Sequence, residues 1–364
     1  MAATRESAGF GVQFDAGELT GALGDSITLL PIVVSLALVT PLSLPHALVG
    51  FGVFQILWGL VYGIPLSVEP MKALAGLAIA GAVSFGELVA AGLLAGIVLL
   101  LAGRFGWIGV IERAVDLPVV RGIQLAVALL LGVTGVRLAL ESPLVAAAAT
   151  VVVVLVAFAG YRNASALVVL ALGGLAAVAI AGMPSPTLPD AVAFAGGGPT
   201  LSFGALEGAV AQLAMTVGNA AVATALLCSD LFDRDVSADR LAESMGVMTL
   251  AALPIGGLPM CHGSGGLAGK HAFGARTGGA NVILGVGYLG LALVAGVLLA
   301  FPMAMLGVLL VLVGVELART ALSGEDRLLV VAVGVLGAVV NIGAAFVAGA
   351  VAARALRKSD GRGA

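Results

Sequence analysis

Charge is what this chain has least of. Only 10% of its 364 residues are Asp, Glu, Lys or Arg, against roughly a quarter in soluble domains. That excludes an ordinary water-soluble fold. The net charge of −3 says little about partners, and nothing resembles a basic nucleic-acid patch. Two cysteines, Cys228 and Cys261, sit in apolar segments and form neither a disulfide framework nor a CxxC pair. The three histidines, His46, His262 and His271, are scattered, and adjacent Cys261 and His262 have poor geometry for one metal ion. No nucleophile–base–acid set appears. An enzyme, a metal site and a cofactor are therefore not expected. The start, MAATRESAGFGVQF, lacks the apolar core of a signal peptide.

What fills the chain is apolar. Sixty per cent is hydrophobic and 53 residues are glycine, with a mean hydropathy of +1.16. This is the composition of an all-α polytopic membrane protein. Runs long enough to cross a bilayer lie at about 17–40, 46–63, 86–103, 118–140, 144–160, 164–182, 205–228, 241–254, 280–300 and 303–320. Two broken elements cover 64–82 and 255–274. The run 328–356 is too long for one span and is interrupted at Asn341 and Gly343, which predicts a hairpin of two short helices. The total is fourteen transmembrane elements. An amphipathic piece, FGWIGVIERAVD, follows the fourth. With a cytoplasmic N-terminus, Arg137 is outside and Lys72 within the membrane, and the other fifteen of the seventeen Lys and Arg are cytoplasmic. That predicts a multi-pass protein of the plasma or inner membrane with both termini inside.

The halves resemble each other at an offset of about 180–190 residues. FDAGELTGALGDSITLLP parallels FGALEGAVAQLAMTVGN, LPVVRGIQL parallels FPMAMLGVLL, and IPLSVEPMKALAG parallels GLPMCHGSGGLAG. Seven elements per half make the second half (203–357) inverted relative to the first (14–182). Inverted repeats, each with a discontinuous helix, point to a secondary transporter with its site at the midplane.

In IPLSVEPMKALAG, prolines 65 and 70 force an extended approach, with Pro70 expected in the first turn of the following half-helix. Glu69 and Lys72 flank that break, and charge at membrane depth marks function. In the second break, glycines let the backbone pass close to a ligand. Its half-helix should run from Ser264 to about Gly274, reaching the cytoplasmic side at Lys270 and Arg276. Inverted, the two half-helices aim their N-termini at one cavity, and each brings partial positive charge and free N–H donors. Lys72 adds a full charge. This array suits a tetrahedral oxyanion better than a planar base, which wants mixed donors and acceptors.

The candidate substrate residues are Thr28, Ser67, Met71, Lys72, Gln212, Thr216, Asn219, His262, Gly263, Ser264 and Gly265. The spans at about 17–40 and 205–228 should line the cavity, bringing Asp25, Ser26, Thr28 and Ser35, and Glu207, Gln212, Thr216 and Asn219. Glu18, His46 and His271 read as interfacial. Uptake of a dianion against a negative-inside potential needs cotransported cations. Glu69 and Asp25 are the candidates to carry protons.

GELTGALGDSITLLPIV, PLSVEPMKALAGLAI and LPMCHGSGGLAGKHAFGARTGG resemble the signature stretches of the molybdate transporter family, related to the sulfate permeases (SulP). LPVVRGIQL, QLAMTVGNAAVAT and LGVLLVLVGVELA extend the likeness over nearly the whole chain. The resemblance implies the seven-plus-seven inverted fold of the sulfate and uracil permeases, without a STAS domain. It implies a core domain (14–104 with 203–300) moving against a gate domain (118–182 with 301–357), and a homodimer formed through the gate. Glu69 departs from the pattern, which usually has glutamine there. The expected function is proton-coupled transport of molybdate, sulfate or tungstate. A nucleobase or dicarboxylate carrier on the same fold, or a passive anion channel, stays open as an alternative.

Overall fold

The computed structural model describes residues 12–114, 116–324 and 326–359, with the side chains of Ala114, Asn163, Asn219 and 357–359 outside that description. In hydrocarbon a backbone must bond to itself, so nearly every element is a helix. The first half contains α1 (Ala16–Val39), α2 (Leu44–Tyr62), β1 (Glu69–Pro70), α3 (Lys72–Ile79), α4 (Phe85–Phe105), the short α5 (Ile108–Ala114), α6 (Leu117–Ala139), α7 (Pro143–Val156) and α8 (Ser165–Ala181). The second contains α9 (Phe203–Met215), α10 (Thr224–Phe232), α11 (Ala238–Ala252), β2 (Met260–Cys261), α12 (Ser264–Ala272), α13 (Gly279–Leu293), α14 (Met303–Leu322), α15 (Arg327–Val339) and α16 (Ile342–Ser359). Among the described residues, seven helical stretches are long and apolar enough to cross a membrane, one of them the continuous Phe203–Phe232 formed by α9, a π-helical stretch over Thr216–Ala223, and α10. Counting each strand with its half-helix gives the fourteen elements expected, with α5 as the amphipathic extra.

Polar residues set the helix ends. Asp15, Ser202 and Ser237 accept backbone N–H groups at the starts of α1, α9 and α11, and Ser84 with Glu87 forms a capping box on α4. Boundaries differ from expectation at the breaks. The first half-helix begins at Lys72 and ends at Ile79, and Pro70 lies in the strand before it. The second stops at Ala272, not near 274. The helix expected over 280–300 ends at Leu293 and continues as 3-10 turns over Ala295–Ala300.

The packing repeats with the halves exchanged. α2 packs on α13 as α4 packs on α11; α1 packs on α12 as α9 packs on α3; α1 meets α8 as α9 meets α16. The corresponding helices α6 and α14 pack on each other. β1 and β2 pair antiparallel, with Glu69 opposite Cys261 and Pro70 opposite Met260. Because each strand runs directly into its half-helix, α3 and α12 leave the pair in opposite directions.

Candidate functional site

The segment between α2 and β1 has no regular partner, yet three of its consecutive carbonyls are satisfied. Leu66 O accepts from Asn281 Nδ2 (2.5 Å), Ser67 O from His262 Nδ1 (3.0 Å) and Val68 O from Gln55 Nε2 (3.1 Å). Irregular backbone at membrane depth survives only with such replacements. A carbonyl only accepts, so Nδ1 of His262 carries a hydrogen; its Nε2 meets Ser244 Oγ at 2.7 Å. Both ring nitrogens are thereby engaged, and the ring is fully buried. On the other strand, Thr249 Oγ1 both accepts from Met260 N (3.0 Å) and donates to Met260 O (2.9 Å).

The two half-helix N-termini are not equivalent. The expected free amides of α3 are capped: Gln212 Oε1 accepts from Ala73 N (2.9 Å) and Leu74 N (3.3 Å), while its Nε2 donates to Thr216 Oγ1 (2.8 Å). At α12 the Glu69 carboxyl lies against the first turn. A Cβ at Gly263 or Gly266 would overlap Glu69 Oε1 or Oε2, whereas one at Gly265 would meet nothing within 4 Å. Glu69 Oε2 accepts from Lys72 Nζ at 2.5 Å, and Oε1 from Thr28 Oγ1 at 3.3 Å. The protein's own carboxylate thus stands where a ligand anion would: at a helix N-terminus, on a lysine.

A cavity of about 180 Å³ opens beside this pair. Thr28, Glu69, Lys72, Gln212, Thr216, His262, Gly263, Ser264 and Gly265 line it. Its opposite wall is Gln124 of α6 with Val313, Glu316, Leu317 and Thr320 of α14. The volume suits a small ion with some water and is below the ~300 Å³ of a drug-sized pocket. Two larger spaces share its walls. One, of about 530 Å³, has Thr28, Gly265, Gly266, Val313 and Glu316 in common and adds Arg162 and Arg319. The other, of about 470 Å³, shares Gln124 and Thr320 and adds Arg121. Both extend towards the face on which α1 and α6 begin and α12 and α14 end.

Several expected residues lie elsewhere. Ser67 and Met71 are fully buried and do not line the cavity. Asp25 is sealed behind it, accepting from Ser67 Oγ (2.5 Å) and Gln55 Nε2 (2.9 Å) and paired with Lys270 Nζ at 3.0 Å. Lys270, expected at the cytoplasmic edge, has no exposed surface. Glu18, expected at the interface, is buried; it accepts the N–H groups of Arg276, Thr277 and Ala280 and so anchors the start of α13. Ser26 contacts Tyr288 Oη at 3.2 Å, and Ser35 donates to Pro31 O. Glu207 turns away to Asn341 Nδ2 (2.6 Å), in the break between α15 and α16. The side chain of Asn219 lies outside the described residues. Sequence reasoning missed Gln55, Lys270 and Asn281 behind the site, and Gln124, Glu316 and Thr320 across it. The i, i+4 spacing of Gly266 and Lys270 was the available signal, since it puts Lys270 on the α12 face that Gly266 presses against Asp25.

A family model described as the molybdate transporter of the MFS superfamily matches residues 17–131 and 204–317. Molybdate transporter 2 of Arabidopsis thaliana is 32% identical, over 84% of this chain and 79% of its own. Molybdate transporter 1 of the same plant is 32% identical with the same coverage. Molybdate transporter 1 of Chlamydomonas reinhardtii is 28% identical, over 96% of this chain and 93% of its own. Among solved structures, the transmembrane domain of the cyanobacterial bicarbonate transporter BicA superposes with a TM-score of 0.67 at 18% identity, covering 91% of this chain and 97% of that one. Murine Solute Carrier 26 family member A9, an anion transporter in the inward-facing state, gives 0.70 at 12% identity, covering 96% and 69%. The fold is theirs.

Proposed function

Because the chain belongs to the molybdate transporter family, we propose that it is a secondary active transporter of a tetrahedral oxyanion, molybdate first, with sulfate and tungstate next. The observation that carries the reading is the Glu69–Lys72 pair at the N-terminus of α12, on the wall of a cavity sized for a small ion. An oxyanion offers acceptors in every direction. It replaces the Glu69 carboxylate on Lys72, with Thr28, Thr216, Ser264 and the backbone of Gly263 and Gly265 around it.

The replacement links the anion to a proton. While Glu69 is ionised it holds Lys72 and repels a dianion. When Glu69 binds a proton, Lys72 is released to the substrate and the repulsion is gone. Proton and oxyanion then occupy the site together, and a dianion carries less net charge against the membrane potential. Glu316 on the opposite wall adds a second carboxylate and makes a bare dianion still less welcome.

Movement follows from which helices carry the site. α1–α4 with α9–α13 form the core that holds both half-helices, and α6–α8 with α14–α16 form the gate against which it slides as an elevator. The Glu207–Asn341 bond joins the two and has to break. The wider spaces lined by Arg121, Arg162 and Arg319 then lead to the cytoplasm, consistent with the excess of Lys and Arg on that face. In this reading the state is inward-open, the protein sits in the plasma or inner membrane with both termini inside, and two copies pair through their gates.

Uptake into proteoliposomes tests the proposal. Labelled molybdate should accumulate when the outside is acidic, and unlabelled sulfate or tungstate should compete while uracil and succinate do not. Uptake of uracil or succinate with molybdate ignored contradicts the oxyanion reading; equilibration without response to a pH gradient is a channel.

A further inference from the structure

Behind the substrate cavity lies a second polar cluster with no opening among the described residues. Lys270 Nζ contacts three oxygens from three other helices: Asp25 Oδ2 of α1 at 3.0 Å, Gln55 Oε1 of α2 at 3.1 Å and Asn281 Oδ1 of α13 at 2.7 Å. All four side chains are fully buried. Neither amide is free to turn. Gln55 Nε2 is held by Val68 O and Asp25, and Asn281 Nδ2 by Leu66 O. Their oxygens are therefore aimed inward by the same unwound segment that carries Glu69.

An ammonium has three donors, and here three oxygens receive them. One carboxylate oxygen and two amide oxygens, fixed by other bonds and shielded from water, are also ligands of the type that hard cations take. We propose that Lys270 is a tethered cation: its ammonium fills a cation cage at the meeting point of α1, α2, α12 and α13, and this fixed charge replaces a bound metal ion in locking the half-helix α12 to the segment that bears Glu69. The Asp25 carboxylate is neutralised for good within that cage. It acts through Ser67, whose Oγ it accepts at 2.5 Å, and so positions the strand leading to Glu69. Asp25 is then a positioning residue, and Glu69 is left to exchange on the cavity side. The inference rests on the reading of Glu69 and Lys72 as the substrate site only for its transport arm.

The test empties the cage. Removing one partner of a buried ion pair leaves the other uncompensated. Lys270→Ala should lower the melting temperature of the purified protein by roughly 10 °C in choline buffer. Sodium, lithium or ethylammonium should restore most of that loss, while the wild type melts at the same temperature in all four buffers. In proteoliposomes the same variant should take up oxyanion only with a small cation present; a purely structural lysine would give no such cation dependence. Should Lys270→Ala fail to assemble, the double variant Asp25→Asn with Lys270→Met removes both charges, and it should assemble and melt well above either single variant. A Lys270→Ala protein that is stable in choline overturns the proposal. So does one rescued by no cation, or a double variant no better than the singles. The melting arm needs no substrate, so it separates failure of this proposal from failure of the transport reading.

Discussion

The carboxylates of two ion pairs meet at Gly266 in this fold, and their surroundings make the pairs opposites. Glu69–Lys72 is local, three residues apart, and 17% of the Lys72 side chain is exposed to the cavity. Asp25–Lys270 joins α1 to α12 with neither side chain exposed at all. In the first, Thr28 Oγ1 also donates to Glu69 Oε1, at 3.3 Å. The second is saturated by Ser67, Gln55 and Asn281. A pair whose lysine reaches the cavity can exchange its anion for a ligand. A sealed and saturated pair cannot, because desolvation makes any half-formed state too costly. Exposure to the cavity, rather than charge or separation, divides the proposed binding site from the proposed lock.

The difference can be broken from the accessible side first. Lys72→Ala removes the cation proposed to receive the oxyanion. Truncating one member of a hydrogen-bonded charge pair costs about 2–5 kcal/mol, roughly thirty- to several-thousand-fold in affinity. Isothermal titration of the purified variant with molybdate checks this, and assembly should be unimpaired because Lys72 faces the cavity.

The next largest effect separates two neighbouring glycines. A Cβ at position 266 meets Ser67 Oγ, Glu69 Oε1 and Asp25 Oδ1, so it wedges between both ion pairs. Gly266→Ala should lower thermal stability and abolish uptake, an overpacking cost of about 1–3 kcal/mol. Gly265→Ala, with open space around its added methyl, should keep wild-type stability and alter only substrate affinity. The smallest effect belongs to the outer space. Arg319 and Glu316 are 3.8 Å apart and both largely exposed, and such pairs contribute about 0–1 kcal/mol. Arg319→Gln should shift the half-saturation concentration by less than about fivefold, with the shift shrinking as salt is added.

The breaks were legible in sequence because proline and glycine act locally. Pro65, Pro70 and the glycine-rich run after Ile255 disrupt helix wherever they fall, and the positions of two broken elements in two similar halves specified the inverted pair. Gln212 and Thr216 were found together because four residues return to the same helix face. Glu207 was misplaced for the same reason: five residues from Gln212 is about 140° around the helix, which turns it to Asn341 rather than the cavity. The lock was invisible because its members come from four helices, with Gln55 and Lys270 separated by 215 positions. A single polar residue in an apolar helix does not announce which neighbour it faces. Glu18 was misread on depth alone, since its three amide donors belong to a turn more than 250 residues away.

Oxyanion affinity measured against pH, in the wild type and in Glu69→Gln, addresses the central claim most directly. The range should be one in which the oxyanion itself stays a dianion, so that any change belongs to the protein. If Glu69 must take a proton before Lys72 can receive the substrate, wild-type affinity rises as pH falls. Glu69→Gln, unable to ionise, then binds with an affinity that stays flat across the range. A variant that keeps the wild-type pH slope contradicts the account, because the proton would then be held elsewhere than on Glu69.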